Sequence, residues 1–76
     1  MLQEETEQAL WYKIYLRPHE RMLRAWLNSR YAEQIDVDDV IQEALIRVLR
    51  AREEKDLESP KAYFFAIARN LALDHI

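Results

Sequence analysis

The 76-residue chain has no cysteine, no glycine and only two prolines, and each shortage removes a class of structure. Without cysteine there are no disulfides and no thiolate zinc sites, which fits a reducing compartment. Without glycine, tight turns that need positive φ have little to draw on, so hairpin-rich folds are excluded in favour of helices. No apolar run approaches the roughly 20 residues of a membrane span, and no signal-peptide pattern opens the chain, so a cytoplasmic protein is expected. Half of the residues are hydrophobic. That suffices for one small domain, which at this length buries only about 60% of its unfolded surface.

The net charge is −3, but the charges are segregated. From Lys13 to Arg30 five basic residues face Glu20 alone, a local +4, whereas Glu33 to Glu43 holds five acids and no base. Such blocks either neutralise each other across a helix contact or serve partners of opposite sign; solvated helix faces are the plainer alternative.

Periodicity predicts a compact all-α bundle of about four helices, with a loop before the last. Asp36 to Arg50 is the organising stretch. Val37, Val40, Ile41, Ala44, Leu45 and Val48 recur on one helical face that must meet a core. Asp39, Gln42, Glu43 and Arg47 form a polar ridge along the other side, free for a partner. Asp36 is placed to cap this helix, which is expected to run to about Arg52, while Asp38 and Asp39 suit the positive end of its dipole.

Before it, Leu2 to Tyr15 reads as a first helix, with Ala9, Leu10, Ile14 and either Trp11 or Tyr15 as its stripe and Glu4, Glu5 and Glu7 in its opening turns. Pro18 demands a break near Leu16 and Arg17 and a second helix to Tyr31, with Met22, Leu23, Trp26 and Leu27 inward and Arg21 and Arg24 exposed. After it, Glu53 to Ser59 is an aperiodic loop. Ser59 and Pro60 then form an N-cap and first helical residue for a last helix from Pro60 to Ile76. Phe64, Ile67, Ala68, Leu71 and Ala72 make its best core line. Tyr63 and Phe65 lie to either side, near Lys61, Arg69 and Asn70, where they either widen a small core or offer faces to unstacked bases.

No constellation for catalysis or metal binding is evident. His19 and His75 are far apart and neither has a metal-ligand spacing, so no enzymatic activity and no cofactor are expected.

DVDDVIQEALIRVL resembles the D-x-x-D-(V/L)-(V/I)-Q-E segment of region 2 in bacterial sigma factors of the extracytoplasmic-function group, and SPKAYFFAIARNLALDHI is similar to the same family's segment ending I-A-R-N-L-A-(L/I)-D-H. With YLRPHERMLRAWL upstream, the likeness covers about residues 12 to 76. It implies a transcription-initiation module that docks on the clamp helices of the RNA polymerase β′ subunit and recognises and melts the promoter −10 element. Carried over by position, Asp39, Gln42 and Glu43 would contact polymerase, with Asp36 and Asp38 assisting at long range. Lys55, Lys61, Tyr63, Phe65, Ala66, Arg69 and Asn70 would face the non-template single strand. Lys55, Lys61 and Arg69 suit phosphates, Asn70 a base edge, and Tyr63 or Phe65 stacking. The acidic loop 53–59 stands where the family captures a flipped base. Position 66 is a departure, because related sequences often carry a basic or larger polar residue there, and it bears on strand-melting strength. The resemblance also implies that the −35-reading helix-turn-helix domain is absent, so that residues 1–76 are one region 2 domain of a longer factor, and it admits an anti-sigma factor as a partner. A helical module that binds only a protein, such as an anti-sigma factor or an adaptor, is the competing expectation.

Overall fold

A computed structural model describes residues 5–76, which form four α-helices. These are α1 (Glu7–Tyr15), α2 (Arg17–Tyr31), α3 (Val37–Glu54) and α4 (Pro60–Asp74). The expected all-α bundle is what the chain adopts. The first turns proposed for α1 include Leu2 and Glu4, which lie outside the described residues. Its described start is set by Thr6, whose hydroxyl accepts from the Ala9 N–H at 3.0 Å. Glu5 therefore precedes the helix and does not load its first turn.

The break at Pro18 falls where expected, with Leu16 ending α1 and opening α2 and Pro18 in the first turn of α2. Proline fits there because first-turn N–H groups have no helical acceptor. Leu16 itself is fully buried. The bend thus drives a leucine into the core, a role that neither flanking periodic pattern assigns to it.

Asp36 caps α3 as expected, its carboxylate accepting from the Asp39 N–H at 3.2 Å. At the other end α3 runs two residues past the expected stop. No glycine or proline interrupts Glu53 and Glu54, and the chain leaves the helix only at Lys55, which is extended while its N–H still reaches the Ala51 carbonyl at 3.1 Å. The connection shortens to residues 55–59. Ser59 then caps α4 through the Ala62 N–H at 3.3 Å, with Pro60 as first helical residue.

The core is one cluster to which α3 contributes Val37, Val40, Ile41, Ala44 and Val48, and α4 contributes Phe64, Ala68, Leu71 and Ala72. Leu16, Leu23 and Leu27 close it from the α2 side. Leu45 and Ile67, expected inside, are half-buried at its margin.

Three expected apolar positions, Met22, Leu10 and Ile14, are corrected outright. Met22 is 60% exposed, because Leu23 and Leu27, one helical step further round, take the inward direction. In α1 no residue is buried, and Leu10, Ile14 and Tyr15 stand 46%, 63% and 46% exposed. Trp11 and Tyr12, not Leu10 and Ile14, are the α1 side chains that pack against the core. Arg24, expected in solvent, is half-buried in an ion pair with Asp38 of α3, so the basic and acidic blocks do neutralise each other at this point. Among the described residues no helix is long and apolar enough to cross a membrane.

Candidate functional site

Two surfaces stand out, one along α3 and one at the loop 55–59 with α4. The first is the outer ridge of α3. With five residues of this helix turned into the core, its opposite side presents Asp39, Gln42 and Glu43 to solvent, all three exposed as expected. Arg47, one turn on, donates from Nε to the Glu43 carboxylate at 3.3 Å, an exposed pair worth only a few tenths of a kcal/mol, on the order of 0.3–0.5. Glu43 therefore stays available to a stronger cationic partner. Asp38 pairs with Arg24 of α2, and Asp36 accepts from the first turn of α3 as its cap.

Between α3 and the end of α4 the ridge borders a shallow groove that includes Ile46, Leu71 and His75. Ile46 is 47% exposed. It was not singled out by the sequence pattern, although its spacing of three from Glu43 and four from Gln42 places it on the same ridge. Ile46 thus adds an exposed apolar side chain next to the carboxylates, at the C-terminal end of the ridge.

The second surface is the loop 55–59 with the solvent side of α4. Lys55, Tyr63 and Ala66 line one cleft together with Leu57, Ser59 and Ala62. The Lys55 ammonium lies 5.1 Å from the centre of the Tyr63 ring, a cation–π distance. Phe65 faces the other flank of α4, where Lys61 stands 6.0 Å from its ring. The proposed residues therefore divide into two lines at helical spacing, Tyr63, Ala66 and Asn70 on one side and Lys61, Phe65 and Arg69 on the other. Lys55, Lys61, Ala66, Arg69 and Asn70 are exposed.

The reading in which the aromatics widen a small core holds in part. Tyr63 and Phe65 each pack against the core cluster while remaining half open, and Phe65 meets Phe64 edge-on with ring centres 6.4 Å apart. Packing on one side restricts the rings, and Lys55 and Lys61 lie over Tyr63 and Phe65. Glu53, Glu54, Asp56 and Glu58 around the loop are exposed and acidic, and the cations among the candidate residues are Lys55, Lys61 and Arg69.

Behind the loop lies a third element that the sequence pattern had not placed. Arg52, at the end of α3, reaches across to α1, where its guanidinium lies 4.6 Å from the centre of the Trp11 ring and donates to the Glu7 carboxylate at 2.7 Å. That hydrogen bond chiefly holds the Glu7 carboxyl below its ordinary value and raises Arg52 above its own. Tyr12 makes the matching tie to α2, donating to Glu20 at 2.8 Å, with partial burial first and that carboxylate second pushing its phenol up.

The amino-acid sequence is similar to that of the ferric citrate uptake sigma factor FecI of Escherichia coli (strain K12), with 23% identity over 69 residues. Those residues are 91% of this chain but 40% of the relative, so the chain spans less than half of that protein's length. No solved structure matches the fold. The family described as sigma-70 region 2 matches residues 15–76, from the bend before α2 through the ridge, the loop and the whole of α4, and the chain belongs to that family.

Proposed function

We propose that this chain is the region 2 module of an extracytoplasmic-function sigma factor, which docks on the β′ clamp helices of RNA polymerase and recognises and melts the promoter −10 element. The observation that carries this reading is the two-sidedness of α3: five residues buried on one side, and Asp39, Gln42 and Glu43 exposed in line on the other. Carboxylates and an amide on a rigid helix can receive arginines of a partner helix pair as charge-assisted hydrogen bonds, and Ile46 supplies an apolar contact beside them.

Strand capture falls to the loop 55–59 and α4. A base unstacked from the non-template strand would lie on Tyr63 beside the loop, with Lys55 near its phosphate, Asn70 offering an amide to a base edge, and Lys61 and Arg69 holding the backbone beyond Phe65. Ala66 makes the centre of this surface small and uncharged, so melting must rely on stacking more than on phosphate attraction. The module has no chemistry of its own in this reading; it directs a polymerase in the cytoplasm, needs no cofactor, and leaves the −35 element to another domain.

The test is titration with a β′ clamp-helix fragment and, separately, with single-stranded −10 DNA in the presence of polymerase. Gln42→Ala and Glu43→Lys are expected to weaken clamp-helix binding about tenfold or more while leaving the helical circular dichroism unchanged, since both side chains are outside the core. Undiminished affinity in both variants would sink the docking assignment. The second reading, a module that binds only a protein such as an anti-sigma factor or an adaptor, is favoured by the exposed Leu10, Ile14 and Tyr15 of α1. Absence of strand-selective DNA binding, with and without polymerase, would establish it instead.

A further inference from the structure

The groove beside the α3 ridge has a second wall, and that wall carries a histidine. His75, the residue that ends α4, lines the groove together with Asp39, Gln42, Glu43 and Arg47. His75 and Asp39 also line a neighbouring cleft, which runs on to Gln34 and Ile35 in the connection between α2 and α3. The two clefts meet at this acid and this imidazole, so a partner lying along the ridge passes over both. His75 is exposed, and its backbone N–H, not its ring, closes α4 by donating to the Ala72 and Leu73 carbonyls. The ring is spare.

A neutral imidazole offers one N–H donor and one acceptor, whereas the protonated ring offers two donors and a positive charge. Beside carboxylates the two forms act oppositely on a basic partner. With the ring neutral, an arginine that reaches Asp39 or Glu43 meets no competing charge and finds a further acceptor next to them. With the ring protonated, a resident cation faces the same carboxylates and repels the arginine. Carboxylates and guanidinium groups as classes keep their charge over roughly pH 5–8, the range in which histidines change theirs. The charged groups around the ring are Asp36, Asp39, Glu43 and Arg47 of α3, with Asp74 before it on α4.

We propose that His75 is a specificity-determining residue of the docking ridge, admitting a basic helix while its ring is neutral and competing with that helix for Asp39 and Glu43 once protonated. This rests on the reading of the ridge as the clamp-helix dock. It brings the end of α4 into an interface otherwise carried by α3 and makes its affinity fall with acidity.

The experiment measures the Kd of the β′ clamp-helix fragment from about pH 7.5 to about pH 5.5 at constant ionic strength, for the unsubstituted chain, His75→Gln and His75→Arg. Glutamine keeps a donor and an acceptor without a titrating charge, and arginine is a permanent cation. The unsubstituted chain is expected to lose about fivefold or more in affinity over this interval and His75→Gln less than about twofold. His75→Arg is expected to bind about fivefold or more weakly already at the upper pH. Titration within the fragment is common to all three and cancels in the comparison. Because the ring is exposed and takes no part in the cap, both variants keep the fold, which helical circular dichroism at each pH verifies. Parallel profiles for the unsubstituted chain and His75→Gln overturn the role of His75, as does undiminished affinity of His75→Arg at the upper pH. In either case continued weakening by Gln42→Ala and Glu43→Lys shows that the dock itself stands. Undiminished binding by those two variants removes the dock, and the role of His75 with it.

Discussion

Helices α1 and α3 are both amphipathic in sequence, yet they are held in opposite ways. α3 buries five side chains and carries its polar ridge on a rigid support, whereas α1 buries none and is tied by Trp11, Tyr12, the Arg52–Glu7 pair and the Tyr12–Glu20 hydrogen bond. Apolar area removed from water stabilises α3 through a non-directional term proportional to contact, while α1 depends on a few directional groups at its rim. Two helices of one small bundle can thus differ in how easily each lets go. Local opening follows the weakest ties, so α1 is expected to exchange with an undocked state well below global unfolding.

Three measurements test this difference, in decreasing size of effect. Ile41→Ala removes a side chain that is 2% exposed in the centre of α3, and a loss of about 2–5 kcal/mol is expected in urea unfolding. A loss below about 1 kcal/mol would mean that the α3 side is not the close-packed one.

Arg52→Ala should leave the global transition nearly in place but speed amide exchange selectively in residues 7–15, because both the cation–π contact and the carboxylate hydrogen bond go with it. Lowering the pH should reproduce this in part. The Glu7 carboxyl is held below its ordinary value, so its contribution is complete above that ordinary value and disappears as the pH falls through the lowered one. Protection of α1 amides against exchange should therefore fade on the acid side of the normal carboxylate range and vary less with pH in Glu7→Gln. Uniform exchange across α1 and α3 at all pH values would contradict the comparison.

The smallest effect belongs to Ile14→Ala. At 63% exposure this isoleucine should be worth no more than about 0.5 kcal/mol, the range of ordinary surface substitutions. A larger loss in thermal unfolding would show that α1 packs more firmly than its exposure suggests.

Where the sequence was legible, a single strong cause acted. Asp36 and Ser59 stand before helices as cap residues with nothing to compete, and both caps form. Val37, Val40, Ile41, Ala44 and Val48 repeat over three turns, and that length fixes the buried side of α3 and, by exclusion, the open position of Asp39, Gln42 and Glu43. Reading was poorer where two patterns overlapped. In α1 the apolar residues 9–12 and 14–15 are nearly continuous, so periodicity admitted a stripe through Leu10 and Ile14, whereas the large rings of Trp11 and Tyr12 make the contacts. Leu16 belongs to neither helical pattern, and only the bend at Pro18 turns it inward. Arg24 and Arg52 were also out of reach, because their partners, Asp38 and Glu7, lie 14 and 45 residues away along the chain and no local spacing announces them. The division of the α4 residues into a Tyr63 line and a Phe65 line was implicit in their spacing, but the loop cleft that joins Lys55 to Tyr63 required the fold.

The contact between Arg24 and Asp38 bears on how quickly the proposed docking ridge would find a basic partner. By cancelling an acid one position from the ridge, it trims the field that α3 projects into solution, and the carboxylates of Asp39 and Glu43 dominate what an approaching cation senses. Encounter is then only modestly accelerated by attraction at a distance and falls little as salt is added. Under the proposed docking, selection among competing basic helices would rest on the lifetime of the complex, where geometry at Gln42 and Ile46 counts for more than the number of charges.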